Sequence, residues 1–372
     1  MYHLIQNSMQ DQIQQILQQK QQSTFPVAPG ILGMEIVFVN LYFVENPDGS
    51  WVLVDAGLYA SADRIRKAAE EKFGKSNPPK AILLTHGHFD HVGALQTLAD
   101  YWNVPVFTHP LELPYLTGMS SYPPPDSSVG GGGMAYMSFM YPKKPIKFHG
   151  RLETLPPDGS VPFMPEWKWL ETPGHTPGHV SFFREHDRVL LVGDAFVTRK
   201  PESALAVLTQ KKEVCGPPAY FTPDWAAAKA SVQKLASIRP LVAASGHGLP
   251  MQGQELEQQL SELARLFDQL AVPNKGRYVN HPAITDESGV VELPPTVKNT
   301  VPKVLATAGL VALAGMAAYS VAKRSQHNGK LRQRKRWPGQ AHTQHATNAT
   351  VGNLYHPSGD YLDMPDATNN YP

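Results

Sequence analysis

The sequence predicts an α/β layered fold with a C-terminal appendage, and three observations predict it. Apolar runs of strand length alternate with segments of helical composition, so strands and helices interleave along one stretch of chain. Several of those runs end in turns that carry histidine, aspartate and glycine. Beyond Ala271 the texture changes to linker, then to an uncharged Ala/Gly-rich run and a basic, polar tail. The chain has 372 residues, 42% of them hydrophobic and 17% charged, enough for one large domain with a real core. A formal net charge of +1 gives no reason to expect a polyanionic partner. Its one cysteine, Cys215, cannot form an intrachain disulfide.

Taken in order, residues 1–24 contain a Gln-rich segment with Ile5, Met9, Ile13 and Ile16 or Leu17 at helical spacing, which predicts an amphipathic helix rather than a secretory signal. The run MEIVFVNLYFVE, a turn at Asn46-Pro47-Asp48-Gly49 and then WVLVDAG read as strands. Ala62–Phe73 reads as helix, and KAILLT as a strand buried on both faces. VGALQTLADYW is helical, PVFTHP a strand, and WKWLETPG, HVSFFREHDRVLLVGDA and LVAASGHG further strands. Helices are expected over Asp224–Ile238 and near 253–270. Residues 112–148, with three prolines from Pro123, four glycines from Gly130 and then MAYMSFMYP, are expected to form an insertion. The catalytic domain is placed at 25–272 and a linker at 273–303.

The string THGHFDHVG at 85–93 brings His86, His88, Asp90 and His91 to the point where a buried strand ends and a helix begins. Imidazole and carboxylate are common ligands of zinc and related ions. Two histidines one residue apart can converge on one ion where the chain bends, while Asp90 and His91 face a second. His175 in TPGHTPGH, Asp194 in LLVGDA and His247 in AASGHG also follow strand-like runs, so loops from one sheet edge can bring them together.

In that order, VDAG, THGHFDHVG, TPGHTPGHV, VGDA and SGHG resemble the metallo-β-lactamase superfamily, most closely its glyoxalase II-like hydrolase branch. The resemblance spans roughly residues 30–270. It implies an αββα four-layer sandwich with the active site along one edge of two packed sheets. It also implies that His86, His88 and His175 bind one metal, that Asp90, His91 and His247 bind a second, and that Asp194 bridges them. Asp55 would brace the His-rich loop, with His179 in a supporting role. Two Zn2+ ions are expected, with iron or manganese as alternatives. Asp194 sets the chain apart from true β-lactamases, and His88 from flavodiiron oxygen reductases.

These ligands imply a hydrolase in which water activated at the metal pair attacks an ester, thioester, lactone or similar small-molecule bond, with Asp90 orienting the nucleophile or shuttling its proton. A second reading is a persulfide dioxygenase-like enzyme with one iron on His86, His175 and Asp194. A third is a non-catalytic, metal-stabilised scaffold at the membrane. No basic aromatic groove is evident, so no nucleic acid is expected as a partner. For the substrate pocket the candidates are His109, Tyr115, Tyr122, Tyr136 and Phe139, with Tyr141, Met134, Met137 and Met140 in the same insertion, read as a lid.

Val304–Ala322 is a 19-residue run without charge, rich in small residues at four-residue spacing, and is expected to be a membrane helix. Residues 323–372 follow as a basic stretch and a disordered tail. Lys323, Arg324, Lys330, Arg332, Arg334, Lys335 and Arg336 come without one acidic residue among them, as on a cytoplasmic flank. The expectation is a cytoplasmic enzyme tethered through 304–336 to the inner face of a membrane.

Overall fold

The computed structural model describes residues 24–130, 132–142, 145–199 and 212–297. The expected helix within 1–24 therefore lies outside the described residues, except that Thr24 opens the first strand. The 304–322 run and the 323–372 tail also lie outside them. Among the described residues, no helix is long and apolar enough to cross a membrane.

Two sheets form the centre. The first has seven strands in sequential order: β1 (Thr24–Ala28), β2 (Ile31–Ile36), β3 (Val39–Glu45), β4 (Trp51–Val54), β5 (Ile82–Leu83), β6 (Val106–Thr108) and β7 (Leu152–Thr154). Its first four strands pair antiparallel, and β4 through β7 pair parallel. The parallel half needs crossovers, supplied between β4 and β5 by α1 (Ala62–Phe73) and between β5 and β6 by the single turn α2 (Phe89–Val92) and α3 (Leu95–Trp102). The second sheet contains β8 (Trp167–Glu171), β9 (Val180–Arg184), β10 (Val189–Gly193), β11 (Val242–Ser245) and β12 (Met251–Gln252), in the order β12-β11-β10-β9-β8. Helix α4 (Trp225–Ser237) leads into β11, and α5 (Gly253–Arg265) follows β12.

The period-two alternation of side chains sorts the core into three apolar layers. Leu41, Phe43, Trp51 and Leu53 turn outward against Ile65 and Ala69 of α1 and Leu95 and Leu98 of α3. Their neighbours Tyr42, Val44, Val52 and Val54 turn inward and meet Trp167, Val180, Phe182 and Leu191 of the second sheet. On its far side, Leu190 and Val192 pack against Trp225 and Val232 of α4 and Leu256 and Leu260 of α5. Three cores between four layers make an αββα sandwich. Asp224 caps α4 by accepting the Ala227 N–H at 2.9 Å.

Two expectations need correcting. The run MEIVFVNLYFVE is a hairpin rather than one strand, because it turns at Val37, whose φ is +64°. That conformation is costly for a β-branched residue, and the turn lies beside the site described below. The described part of the expected linker, 273–297, also carries structure: the hairpin β13 (Ile284–Asp286) and β14 (Gly289–Glu292). Tyr278 and Ala283 in this segment are buried. The Tyr278 hydroxyl donates to the Pro124 carbonyl at 2.7 Å, and the Val290 N–H to Ser120 Oγ at 3.1 Å, so the segment is strapped across the insertion.

Candidate metal centre

The loops after β4, β5, β8, β10 and β11 meet at one edge of the sandwich. His86, His88, Asp90, His91, His175, Asp194 and His247 are all buried there. Three overlapping groups have ligand atoms within 4.8 Å of one another: His86, His88 and His175; His86, His91 and Asp194; and Asp90, His91 and His247. His88 Nδ1 and His175 Nε2 face each other at 3.0 Å. Asp194 Oδ2 lies 3.1 Å from His247 Nε2, 3.5 Å from His175 Nε2 and 3.7 Å from His91 Nε2. His247 Nε2 is also 3.6 Å from Asp90 Oδ2.

The tautomers follow from the surrounding hydrogen bonds. Asp55 accepts the Thr85 N–H and hydroxyl, each at 2.8 Å, and also His91 Nδ1 at 2.8 Å. A carboxylate only accepts, so His91 carries its proton on Nδ1 and turns a lone pair on Nε2 into the site. With the Thr85 hydroxyl spent on Asp55, His86 Nδ1–H donates to Thr85 Oγ1 at 3.0 Å and leaves Nε2 free. His247 Nδ1–H donates to the Phe38 carbonyl at 2.8 Å. His179 is engaged at both nitrogens, with Thr172 Oγ1 at 2.8 Å and with the Asp194 N–H, which donates to Nε2 at 2.8 Å. It therefore holds the backbone of Asp194.

Among the described residues, His86 Nε2, His91 Nε2 and Asp194 Oδ1 are buried without a hydrogen-bond partner. Buried polar atoms are normally paired, and orphans of this chemistry aimed at one small volume fit a divalent cation. The electrostatics agree. Burial pushes the His88 imidazole down to about 3 and lowers His86 and His175 as well, so these rings are neutral donors. Burial also opposes charge on Asp194, but His247 and His91, which that carboxylate helps push up, outweigh it when protonated and hold it well below the usual range. A cation among these ligands would stand in for those protons. No side chain fits at position 246, because a Cβ there would lie 2.1 Å from Asp194 Oδ1.

Several residues that hold this site were not found from the sequence. Asn40 Nδ2 donates to the Ser245 and Gly248 carbonyls, at 2.9 and 2.6 Å, and so fixes the His247 loop from both sides. Buried Arg199 donates to the Phe38 carbonyl at 2.9 Å and pairs with Glu35 at 3.1 Å. Glu112 is fully buried and accepts from Gly87 N and Gly178 N, at 2.9 and 2.8 Å, from Thr176 Oγ1 at 2.8 Å and from the Tyr122 hydroxyl. A hydrogen-bonding residue beside a strand end is the available signal for Asn40. None marks Glu112 locally.

A pocket opens beside the cluster, lined by Phe38, Phe89, Met134, Tyr141, Pro218 and Phe221 together with His88, Asp90, Asp194 and His247. Of the insertion, Met134 and Tyr141 reach it, whereas Tyr115, Tyr122, Tyr136 and Phe139 do not line it, nor does His109, which precedes the insertion. His109 instead turns toward Trp169 and accepts the Leu111 N–H at 3.2 Å. Tyr115 is buried behind Tyr122, stacked with centroids 3.9 Å apart. Tyr136 sits two residues beyond Met134 in the short helix Gly133–Met137, about 200° around its axis. Tyr122 lies against His88, centroids 4.6 Å apart, and accepts the Gly87 N–H at 2.9 Å. The start of the insertion is thus part of the ligand frame, and only its later part forms a pocket wall.

A profile of the metallo-beta-lactamase superfamily matches residues 35–247. The probable metallo-hydrolase YflN of Bacillus subtilis is 46% identical over 242 residues, covering 64% of this chain and 92% of YflN. Hydroxyacylglutathione hydrolase GloC of Haemophilus influenzae is 31% identical over 155 residues, covering 42% of this chain and 65% of GloC. Among solved structures, the BLEG-1 B3 metallo-beta-lactamase is 24% identical with a TM-score of 0.44, covering 64% of this chain and 98% of that one. The chain belongs to the metallo-β-lactamase superfamily, and it is a metal-dependent hydrolase.

Proposed function

We propose that the chain is a dinuclear hydrolase in which His86, His88 and His175 hold one ion, and Asp90, His91 and His247 a second, with Asp194 shared between them. The observation that carries this reading is the position of Asp194 Oδ2, within 3.1–3.7 Å of histidines from both sets. Nitrogen and oxygen donors of this kind suit zinc, and iron or manganese accept the same set. Two divalent ions there would supply Lewis-acid polarisation of a scissile carbonyl and a water acidic enough to react near neutral pH.

The chain's own residues do the rest. Asp55, His179 and the Phe38 carbonyl hold ligands in one tautomer and direction. Asp90, buried with Oδ2 3.6 Å from His247 Nε2, stands where it can orient an attacking water or take its proton. Phe38, Phe89, Met134, Tyr141 and Phe221 exclude bulk solvent and offer an apolar surface, and none of the described lining residues is a lysine or arginine. An uncharged ester, thioester or lactone with an apolar acyl part suits that wall.

Metal analysis of the purified full chain tests the reading: about two equivalents of ion, mainly zinc, are expected. One iron and no second ion would favour the dioxygenase alternative, which needs only His86, His175 and Asp194. For the pocket, Tyr141→Ala removes a ring that packs on Phe89 and Phe221, with centroids 5.7 Å from each. It is expected to raise KM for apolar acyl esters by about tenfold with metal content unchanged. Metal loss in that variant would show the wall to be part of the ligand frame.

A further inference from the structure

The ligands of the first proposed ion come from two separate loops, 85–91 after β5 and 172–179 after β8. Two loops from different sheets need a fixed spacing before His88 Nδ1 and His175 Nε2 can stand 3.0 Å apart. The side chain between them is Glu112. Its Oε2 accepts the N–H of Gly87, the residue between His86 and His88, at 2.9 Å. Its Oε1 accepts the Thr176 hydroxyl and the Gly178 N–H, each at 2.8 Å, on the loop that carries His175. The Tyr122 hydroxyl completes the set on Oε2 and places its ring on His88.

Both loops have glycine where the carboxylate's group comes closest. A Cβ at Gly87 would lie 2.6 Å from the Tyr122 hydroxyl, and one at Gly178 would lie 2.9 Å from Glu112 Cγ. Glu112 is held out in its turn: it ends the single turn Pro110–Glu112, which His109 caps by accepting the Leu111 N–H. A buried carboxylate with four donors is costly to assemble and would be needless for filling space, since an apolar side chain could do that.

We propose that Glu112 is a positioning residue that clamps the two ligand loops at the spacing one metal ion requires, with Tyr122 as its relay to His88. The proposal rests on the assignment of His86, His88 and His175 to one ion. It gives the insertion a task apart from substrate contact, carried by Glu112 and Tyr122 at its start.

Titration of the full chain with Co2+, followed by visible absorption, tests the clamp. Glu112→Gln keeps the volume but turns an amide N–H toward donors. It is expected to weaken Co2+ binding by about 10–100-fold, the range seen when a partner of a ligand is lost, and to change the absorption bands. Tyr122→Phe removes one donor and should shift both readouts the same way by a smaller factor. Melting of the metal-free proteins shows whether each variant folds. A folded Glu112→Gln with the affinity and spectrum of the unaltered chain overturns the clamp. Should that variant not fold, an unaltered affinity and spectrum in Tyr122→Phe overturns it instead. A distinct failure is a Co2+ spectrum in the unaltered chain that His88→Ala leaves unchanged, which removes the metal assignment and the clamp with it.

Discussion

Asp194→Asn is expected to empty both proposed ion positions while the fold stands. The amide has nearly the shape of the carboxylate, and the Asp194 N–H to His179 Nε2 bond at 2.8 Å does not involve the side chain. What disappears is the charge that three histidine nitrogens face at 3.1–3.7 Å. Losing a partner of a ligand costs about 10–100-fold in metal affinity, so losing a shared ligand should exceed about 100-fold at each position, with turnover falling accordingly. Circular dichroism and elemental analysis of the same sample read the two halves of this expectation. Wild-type metal content in the folded variant would take Asp194 out of the centre.

Asp55→Asn should act on both positions, directly through His91 and by way of Thr85 through His86. The carboxylate accepts three hydrogen bonds, from Thr85 N, Thr85 Oγ1 and His91 Nδ1. An asparagine accepts on one side only. If its NH2 group faces His91, that ring must accept on Nδ1 and move its proton to Nε2, the atom aimed at the site. If it faces Thr85 N, two donors meet. This resembles the loss seen when the aspartate of a catalytic triad becomes asparagine and fixes the wrong histidine tautomer. The Thr85 hydroxyl shares one carboxylate oxygen with His91, so an NH2 there also frees it to donate to His86 Nδ1 and moves the His86 proton to Nε2. Both ions are therefore expected to weaken by about 10–100-fold, and unchanged affinities at both in a stepwise metal titration would contradict the tautomer argument.

How far the molecule could be read in advance depended on whether the signal was local. Strand and helix runs such as WVLV, VSFFR and the stretch after Asp224 carry their own periodicity, and each forms the element its pattern implies. The seven ligand candidates announced themselves by position, just beyond apolar strands, and the fold brings all seven together. Glu112 could not be found that way. Its partners Gly87, Thr176 and Gly178 are 25, 64 and 66 positions distant, and Pro110–Glu112 looks like an ordinary turn. Val37 was hidden because a β-branched residue supports a continuous strand, and only tertiary contacts select its left-handed conformation. The described part of the expected linker, 273–297, is punctuated by Gly and Pro, yet Tyr278 and Ala283 are buried there and the Tyr278 hydroxyl donates to the Pro124 carbonyl, 154 positions upstream. The same reason accounts for His109, Tyr115, Tyr122, Tyr136 and Phe139, which do not line the pocket beside the cluster. Composition names an aromatic segment but not which way each ring turns.

At position 38 two duties fall on different atoms. The carbonyl oxygen of Phe38 receives His247 Nδ1 and an Arg199 N–H, while its ring stands in the pocket wall. Every amino acid brings the same carbonyl, so exchanging the side chain keeps the hydrogen bond to His247 and removes only the ring stacked on it, centroids 6.1 Å apart. Position 38 is therefore a place where selection, or a protein engineer, can retune what enters the cleft while the backbone hydrogen bond to His247 stays. The tip of the β2–β3 hairpin separates the evolution of preference from the upkeep of reactivity.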